Sequence, residues 1–150
     1  MKIVIGCDEA AYELKQTFIK HLQAKGHEIT DVGCGADETV MYPDIAAEAC
    51  KYVVSGTCQR GILLCGTGTG MAMAANKVPG IRAAVCHDPF STQRSILSND
   101  AQVFCLGARI IAPHLALCLL DTWMDLEYVD GPSTPKIERI TYHEQHPYRP

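Results

Sequence analysis

The chain lacks a long hydrophobic run. Its longest mainly apolar stretch, Ile110 to Leu120, is broken by Pro113 and His114 and falls short of the ~20 residues that a membrane-spanning helix needs. The first residues, Met-Lys-Ile-Val-Ile-Gly-Cys, show neither the apolar core nor the small-residue cleavage site of an export signal. A cytoplasmic protein with no membrane segment is therefore expected. Lys and Arg are scattered and the net charge is −4, so the basic footprint demanded by nucleic acid or an anionic lipid surface is missing. Of the eight cysteines, Cys7, Cys34, Cys50, Cys58, Cys65, Cys86, Cys105 and Cys118, none forms a C-x-x-C pair. The six histidines supply no zinc-ligand spacing either. The cysteines read as reduced, mostly buried small hydrophobes, and no metal or other cofactor is expected.

What is present is the composition of one globular domain, 47% hydrophobic and 20% charged residues over a length of 150. At this size a chain buries roughly 68–70% of its surface and needs no staples. Strand-length apolar bursts alternate with helical periodicities. Lys2–Cys7 reads as a buried strand, and 10–25 as a helix with Ala11, Leu14, Phe18 and Leu22 on one stripe, stopped by Gly26. A second strand covers 28–32. Pro43 opens a helix whose inner face carries Ile45, Ala49, Tyr52 and Val53. The all-apolar segment 61–65 reads as a strand covered on both faces. There follow a helix over 71–77, a strand over 81–85, a helix capped by Asp88 and started by Pro89, and a strand over 102–106. Helices over 113–126 and 134–145 complete the chain. Five β-α repeats predict a three-layer, doubly wound α/β domain on a five-stranded parallel sheet, Rossmann-like and single, with a C-terminal helical arm. The segment 130–150 has too little apolar content to fold alone and is expected to pack on a neighbouring subunit.

Such sheets bind ligands beyond the carboxyl ends of their strands. That rule nominates Cys7-Asp8-Glu9, Cys65 to Gly70, His87-Asp88, and Gly107-Ala108-Arg109. The loop Cys65-Gly66-Thr67-Gly68-Thr69-Gly70 is the strongest local signal. Its glycines permit close backbone approach and positive φ, so successive N–H groups can converge on an anion. It is no Walker A motif, and its G-x-G-x-G spacing after the third strand departs from a dinucleotide fingerprint. The plainer alternative is a tight turn that lets strand and helix pack. Cys65, at a strand end before a helix N-terminus, stands where amides favour a thiolate, hence a candidate base, with buried core thiol as the alternative. Asp8 reads either as a helix cap or as a partner for sugar hydroxyls. Arg109 reads as a phosphate clamp or a surface ion pair.

Taken together, Gly6-Cys7-Asp8, Tyr42-Pro43, Cys65 to Gly70, Ala75-Asn76-Lys77, Gly80-Ile81-Arg82-Ala83, Asn99-Asp100 and Gly107-Ala108-Arg109 resemble the sugar-phosphate isomerases of the ribose 5-phosphate isomerase B and galactose 6-phosphate isomerase family. The resemblance spans nearly the whole chain. It implies a metal-free aldose–ketose isomerase working through a cis-enediolate, as a homodimer or dimer of dimers with substrate sites between subunits. By the same resemblance Cys65 is the base. Gly66, Gly68, Thr69 and Gly70 cradle the enediolate oxygen, with Thr67 moving protons at the oxygens. Asp8, Tyr42 and Asn99 contact sugar hydroxyls, and Arg109 contacts the phosphate.

Three departures from that family stand out. Members acting on ribose 5-phosphate commonly have His after the first Asp, where this chain has Glu9, and a second His before the Asn, where it has Ser98. Two phosphate-binding Arg residues near the C-terminus are replaced by Pro132 and Lys136. Ribose 5-phosphate is largely a closed furanose and needs a proton shuttle to open, a task for imidazole rather than a serine hydroxyl. A tetrose 4-phosphate has its O4 blocked by phosphate and cannot close a five-membered ring. The segment Leu97 to Gln102 also resembles the branch acting on erythrulose 4-phosphate, so a tetrose 4-phosphate is the expected substrate. Glu9 is expected to point away from a phosphate, pair with a cation such as Lys136, or bind a sugar hydroxyl. Two other readings remain open: a catalytically weakened sugar-phosphate-binding module, and one subunit of a hetero-oligomeric hexose 6-phosphate isomerase.

Overall fold

The computed structural model describes residues 1–148. Arg149 and Pro150, the last residues of the expected arm, lie outside the described residues. Five strands form one parallel sheet: β1 (Lys2–Cys7), β2 (Glu28–Asp31), β3 (Arg60–Cys65), β4 (Ala83–Val85) and β5 (Val103–Gly107), in the order β2-β1-β3-β5-β4. Among the described residues, six α-helices connect and flank them: α1 (Tyr12–Ala24), α2 (Tyr42–Val54), α3 (Thr69–Ala75), α4 (Pro89–Leu97), α5 (Pro113–Asp125) and α6 (Thr134–Gln145). None of these is long and apolar enough to cross a membrane.

Strand alternation sends side chains to two cores. Ile3, Ile5, Ile62, Leu64, Phe104 and Leu106 meet Phe18 and Leu22 of α1, Ile96 of α4, and Leu119 and Trp123 of α5. Val4, Leu63, Cys65, Val103 and Cys105 face Ala46, Ala49 and Cys50 of α2 and Met71 and Ala75 of α3. Both faces of β1, β3 and β5 are thus buried, which is why these strands read as continuous apolar runs.

Several boundaries differ from the sequence expectation, each for a visible reason. Asp8 accepts from Ala10 N–H and caps a 3₁₀ turn over Glu9–Ala11, so the α-helix proper starts at Tyr12. The inner face of α2 is broader than expected: Ala46, Ala49 and Cys50 are buried, and Ile45, Tyr52 and Val53 are half-buried against the same core. The Ile45 Cγ2 would lie 2.7 Å from a Cβ on Gly6, so that glycine admits the helix to β1. The helix α3 starts at Thr69 because Gly68 turns the chain at φ +76. It ends at Ala75, where the Asn76 amide reaches across to both Ala83 N–H and Ala83 O. β4 has three residues because Gln102 Oε1, rather than a backbone carbonyl, takes Arg82 N–H at 2.8 Å.

α6 follows the predicted range Thr134–Gln145 and buries none of its residues. Its Glu144 carboxylate accepts the Gly80 N–H, and with Ile140 it walls a groove of about 720 Å³ beside Asn76, Arg82 and Asn99.

Candidate active site

At the carboxyl rim of the sheet, the ends of β1, β3 and β5 converge. Cys65 is the last residue of β3 and is 5% exposed. Its Sγ receives the Gly68 N–H at 3.0 Å. Gly68 reaches that position by a left-handed turn pressed onto β5: a Cβ there would lie 2.9 Å from the Leu106 carbonyl carbon and 3.0 Å from its nitrogen. Only glycine fits. The loop is stitched to the end of β5 by Ala108 N–H to Cys65 O (2.8 Å) and Arg109 N–H to Gly66 O (3.1 Å). Gly107 permits this contact, since a Cβ on it would stand 2.6 Å from Thr67 Cα.

Around the loop stand the side chains nominated from sequence. The Arg109 side chain lies over Gly66, with Cδ 3.5 Å and Nε 3.6 Å from where a Cβ would be. The Tyr42 ring, at the start of α2, covers Gly70, whose added Cβ would meet Cζ at 2.8 Å. Thr67 is exposed, and its Oγ1 accepts from Thr69 N–H at 3.4 Å. Asp8 leaves β1 beside β3, its N–H donating to Leu64 O. Partial burial raises the Asp8 carboxyl above its ordinary value of 3.8, while the Ala10 N–H and the nearby Arg109 guanidinium pull it back. Cys65, Gly66, Thr67, Gly68, Thr69, Gly70, Asp8, Tyr42 and Arg109 are therefore gathered on one rim.

Glu9 is exposed, and its carboxylate accepts from Val40 N–H at 3.5 Å. It thus anchors the 33–41 loop and, among the described residues, makes no ion pair. Lys136 is exposed on α6, and its ammonium makes no ion pair among the described residues.

Ser98 and Asn99 are not brought to this rim within the chain. α4 leaves the carboxyl end of β4 and descends to the amino end of β5. The Asn99 carbonyl accepts from Arg82 Nε, just ahead of β4. Ser98 ends α4, its hydroxyl accepting from the Arg94 guanidinium. They are a strand's depth, roughly 15–20 Å, from Cys65. Asp100 beside them is a non-glycine residue at φ +46, held to Arg82 by an ion pair.

One rim residue carries no motif that assigns it a role. His87, at the end of β4, accepts the Gly107 N–H on Nε2 at 2.9 Å. A histidine ring within reach of a strand-end amide leaves no spacing signature, so only its place at the rim could have flagged it. Among the described residues, no group of three or more His, Cys, Asp or Glu side chains is close enough to hold a metal ion.

Residues 3–140 match the Ribose/Galactose Isomerase family. The chain is 51% identical over 138 residues to "Ribose-5-P isomerase B" of Listeria innocua, covering 92% of this chain and 93% of that protein. It is 50% identical over 145 residues to "D-erythrulose-4-phosphate isomerase" of Pectobacterium atrosepticum, covering 96% and 95%. Among solved structures, Clostridium thermocellum ribose-5-phosphate isomerase B superimposes with a TM-score of 0.95 at 42% identity, covering 97% of this chain and 99% of that one.

Proposed function

The chain belongs to the ribose/galactose isomerase family, and from that premise we propose that it interconverts an aldose phosphate and a ketose phosphate, with Cys65 as the base. The observation that carries this reading is the Cys65 thiol at the floor of the rim, with Gly68 N–H on its sulfur and Arg109 above Gly66. In the ketose-to-aldose direction, Cys65 takes a proton from C1 and the electron pair forms the C1–C2 double bond of a cis-enediolate. The proton returns to C2, and Thr67 relays the hydroxyl proton from O1 to O2. The product is an isomer of the substrate, so no redox partner enters. Negative charge developing on the oxygens is met by the N–H groups of the glycine loop, fixed in place before the reaction by the stitching to β5. Asp8 and Tyr42 hold hydroxyls, and Arg109 holds the phosphate.

Tetrose 4-phosphate is the preferred substrate. The relatives named above include both a ribose phosphate and an erythrulose phosphate enzyme at nearly equal identity, so the preference rests on chemistry. The serine hydroxyl at 98, tied to Arg94, is a poor shuttle for opening a furanose, and a tetrose 4-phosphate has no such ring to open. The active unit is a homodimer or dimer of dimers. This explains why Asn99 stands on the opposite rim from Cys65: a second copy supplies it. Met73 on α3 and Phe90 on α4 are 66% and 72% exposed, apolar surface that such a copy would cover.

The test is a coupled isomerase assay on the purified chain with ribose 5-phosphate and with erythrulose 4-phosphate, beside Cys65→Ala. Faster turnover of the tetrose, lost by about a thousandfold in Cys65→Ala, is expected. Faster turnover of ribose 5-phosphate would overturn the substrate assignment. Full activity in Cys65→Ala would overturn the base, and a sugar-phosphate-binding module would show affinity without turnover.

A further inference from the structure

We propose that His87 is a positioning residue: by accepting the Gly107 N–H, its neutral ring sets the turn that carries Arg109 and backs the glycine loop. The inference rests on reading that loop and Arg109 as the isomerase site.

β4 pairs with β5 from Ala83↔Val103 to Val85↔Cys105, and Cys86 N–H then donates to Cys105 O. Two residues on, the next β5 donor on that side is Gly107 N–H. Imidazole, not a carbonyl, receives it. A backbone N–H can only donate, so Nε2 must present a lone pair and the ring carries its proton on Nδ1. The same residue, Gly107, has its other side pressed on Thr67, and the next two N–H groups bond Cys65 O and Gly66 O. His87 is thus the outer clamp on a peptide whose inner side is the cradle.

Protonation of Nε2 would set donor against donor. The charged neighbour acting on the ring is Asp88, which favours the proton, but burial outweighs it and holds the ring below its ordinary 6.5. Asp88 is itself engaged with Ser91 N–H at the start of α4. The thiols packed nearby, Cys86 on the β4 side and Cys105 on β5, are both pushed up by burial and stay uncharged. Arg109 lies two residues beyond Gly107 and adds positive charge to the same turn. The clamp therefore holds at neutral pH and releases on acidification.

The test compares kcat and KM of wild type, His87→Ala and His87→Gln from pH 5.5 to 8.5, on one sugar phosphate. Gln offers a carbonyl oxygen near the place of Nε2 and does not titrate. The substrate phosphate, whose second pKa is about 6, is common to all three, so differences between profiles belong to the protein. His87→Ala should lower kcat/KM about tenfold, mainly through KM, and His87→Gln should recover to within about threefold of wild type. His87→Gln should also lose the part of the acid fall that wild type shows beyond the phosphate. In parallel, the Gly107 amide resonance of wild type should shift with the His87 ring titration and stay still in His87→Gln. A Gly107 amide indifferent to the His87 titration, an unchanged KM in His87→Ala, or the same acid limb in wild type and His87→Gln would each refute the clamp. Absence of turnover by wild type on both ribose 5-phosphate and erythrulose 4-phosphate would instead overturn the substrate assignment, and the Gly107 titration would still decide the role of His87.

Discussion

Gly68→Ala separates the cost of a left-handed backbone from the cost of a crowded one. Gly26, Gly56 and Gly68 share nearly the same conformation, at φ +83, +74 and +76. A Cβ on Gly26 or Gly56 meets nothing within 4 Å, whereas on Gly68 it meets backbone atoms of Leu106 and Gly107 at 2.9 to 3.1 Å. Gly26→Ala and Gly56→Ala therefore carry only the conformational penalty, about 1 kcal/mol, or about 2–4 °C in Tm for a domain of this size. Gly68→Ala carries that penalty and must also push the loop away from β5, straining the bonds from Ala108 and Arg109 and lifting Gly68 N–H from Cys65 Sγ. Overpacking of this kind adds about 1–3 kcal/mol, giving a total Tm loss of about 4–16 °C. Removal of one aligned donor at the reacting centre costs about a hundredfold in kcat. Differential scanning calorimetry and steady-state kinetics on the three variants read both effects. A Gly68→Ala protein that melts with the two controls and keeps its kcat would refute the view that contact with β5 holds the donor in place.

The placement of Asn99 and Cys65 on opposite rims makes a complementation test sharp. Cys65→Ala and Asn99→Ala chains, each inactive alone, should regain about a quarter of wild-type activity when refolded together as mixed dimers, because half the dimers are mixed and each holds one intact site. No recovery in demonstrably mixed dimers would show that both residues serve from one chain or that Asn99 serves nothing. A second prediction concerns acid. Burial lowers the folded pKa of both His27 and His87 below 6.5, His27 with help from the N-terminal amine and Lys25. The unfolded chain then binds protons first, so stability is complete above about pH 6.5 and falls as pH drops below it. Urea midpoints should decline from pH 7.5 to 5.5, less steeply in His27→Gln; a flat profile would refute the shifts.

The fold was legible because its strands are buried on both faces and its helices are punctuated. Lys2–Cys7 and Thr134–Gln145 can be read to the residue, the first from the apolar run that follows Lys2 and the second from Pro135 at its start. Errors arose where a side chain replaced the backbone as partner: Gln102 shortens β4, and Asn76 ends α3. On α2 the large residues mark the core-facing side, but the small Ala46 and Cys50, which carry little signal of their own, are the more deeply buried, while Ile45 meets Gly6. The loop and its rim neighbours could be located because a parallel sheet delivers every strand's carboxyl end to one side. The separation of Asn99 from Cys65 follows from the same rule, since α4 must travel the depth of the sheet to start β5. Glu9 was legible only as a set of options, because its partner is the amide of Val40, 31 residues on.

That separation also bears on how such a chain can diverge. Under the proposal that a second copy supplies Asn99, a protomer carrying Cys65 on one rim and Asn99 on the other contributes to two different sites. A substitution on one rim disables one of these contributions and leaves the other intact. After a gene duplication the two copies could lose opposite halves, each loss hidden by the other. The result would be a pair of unlike chains, each inert alone and together holding one working site per pair.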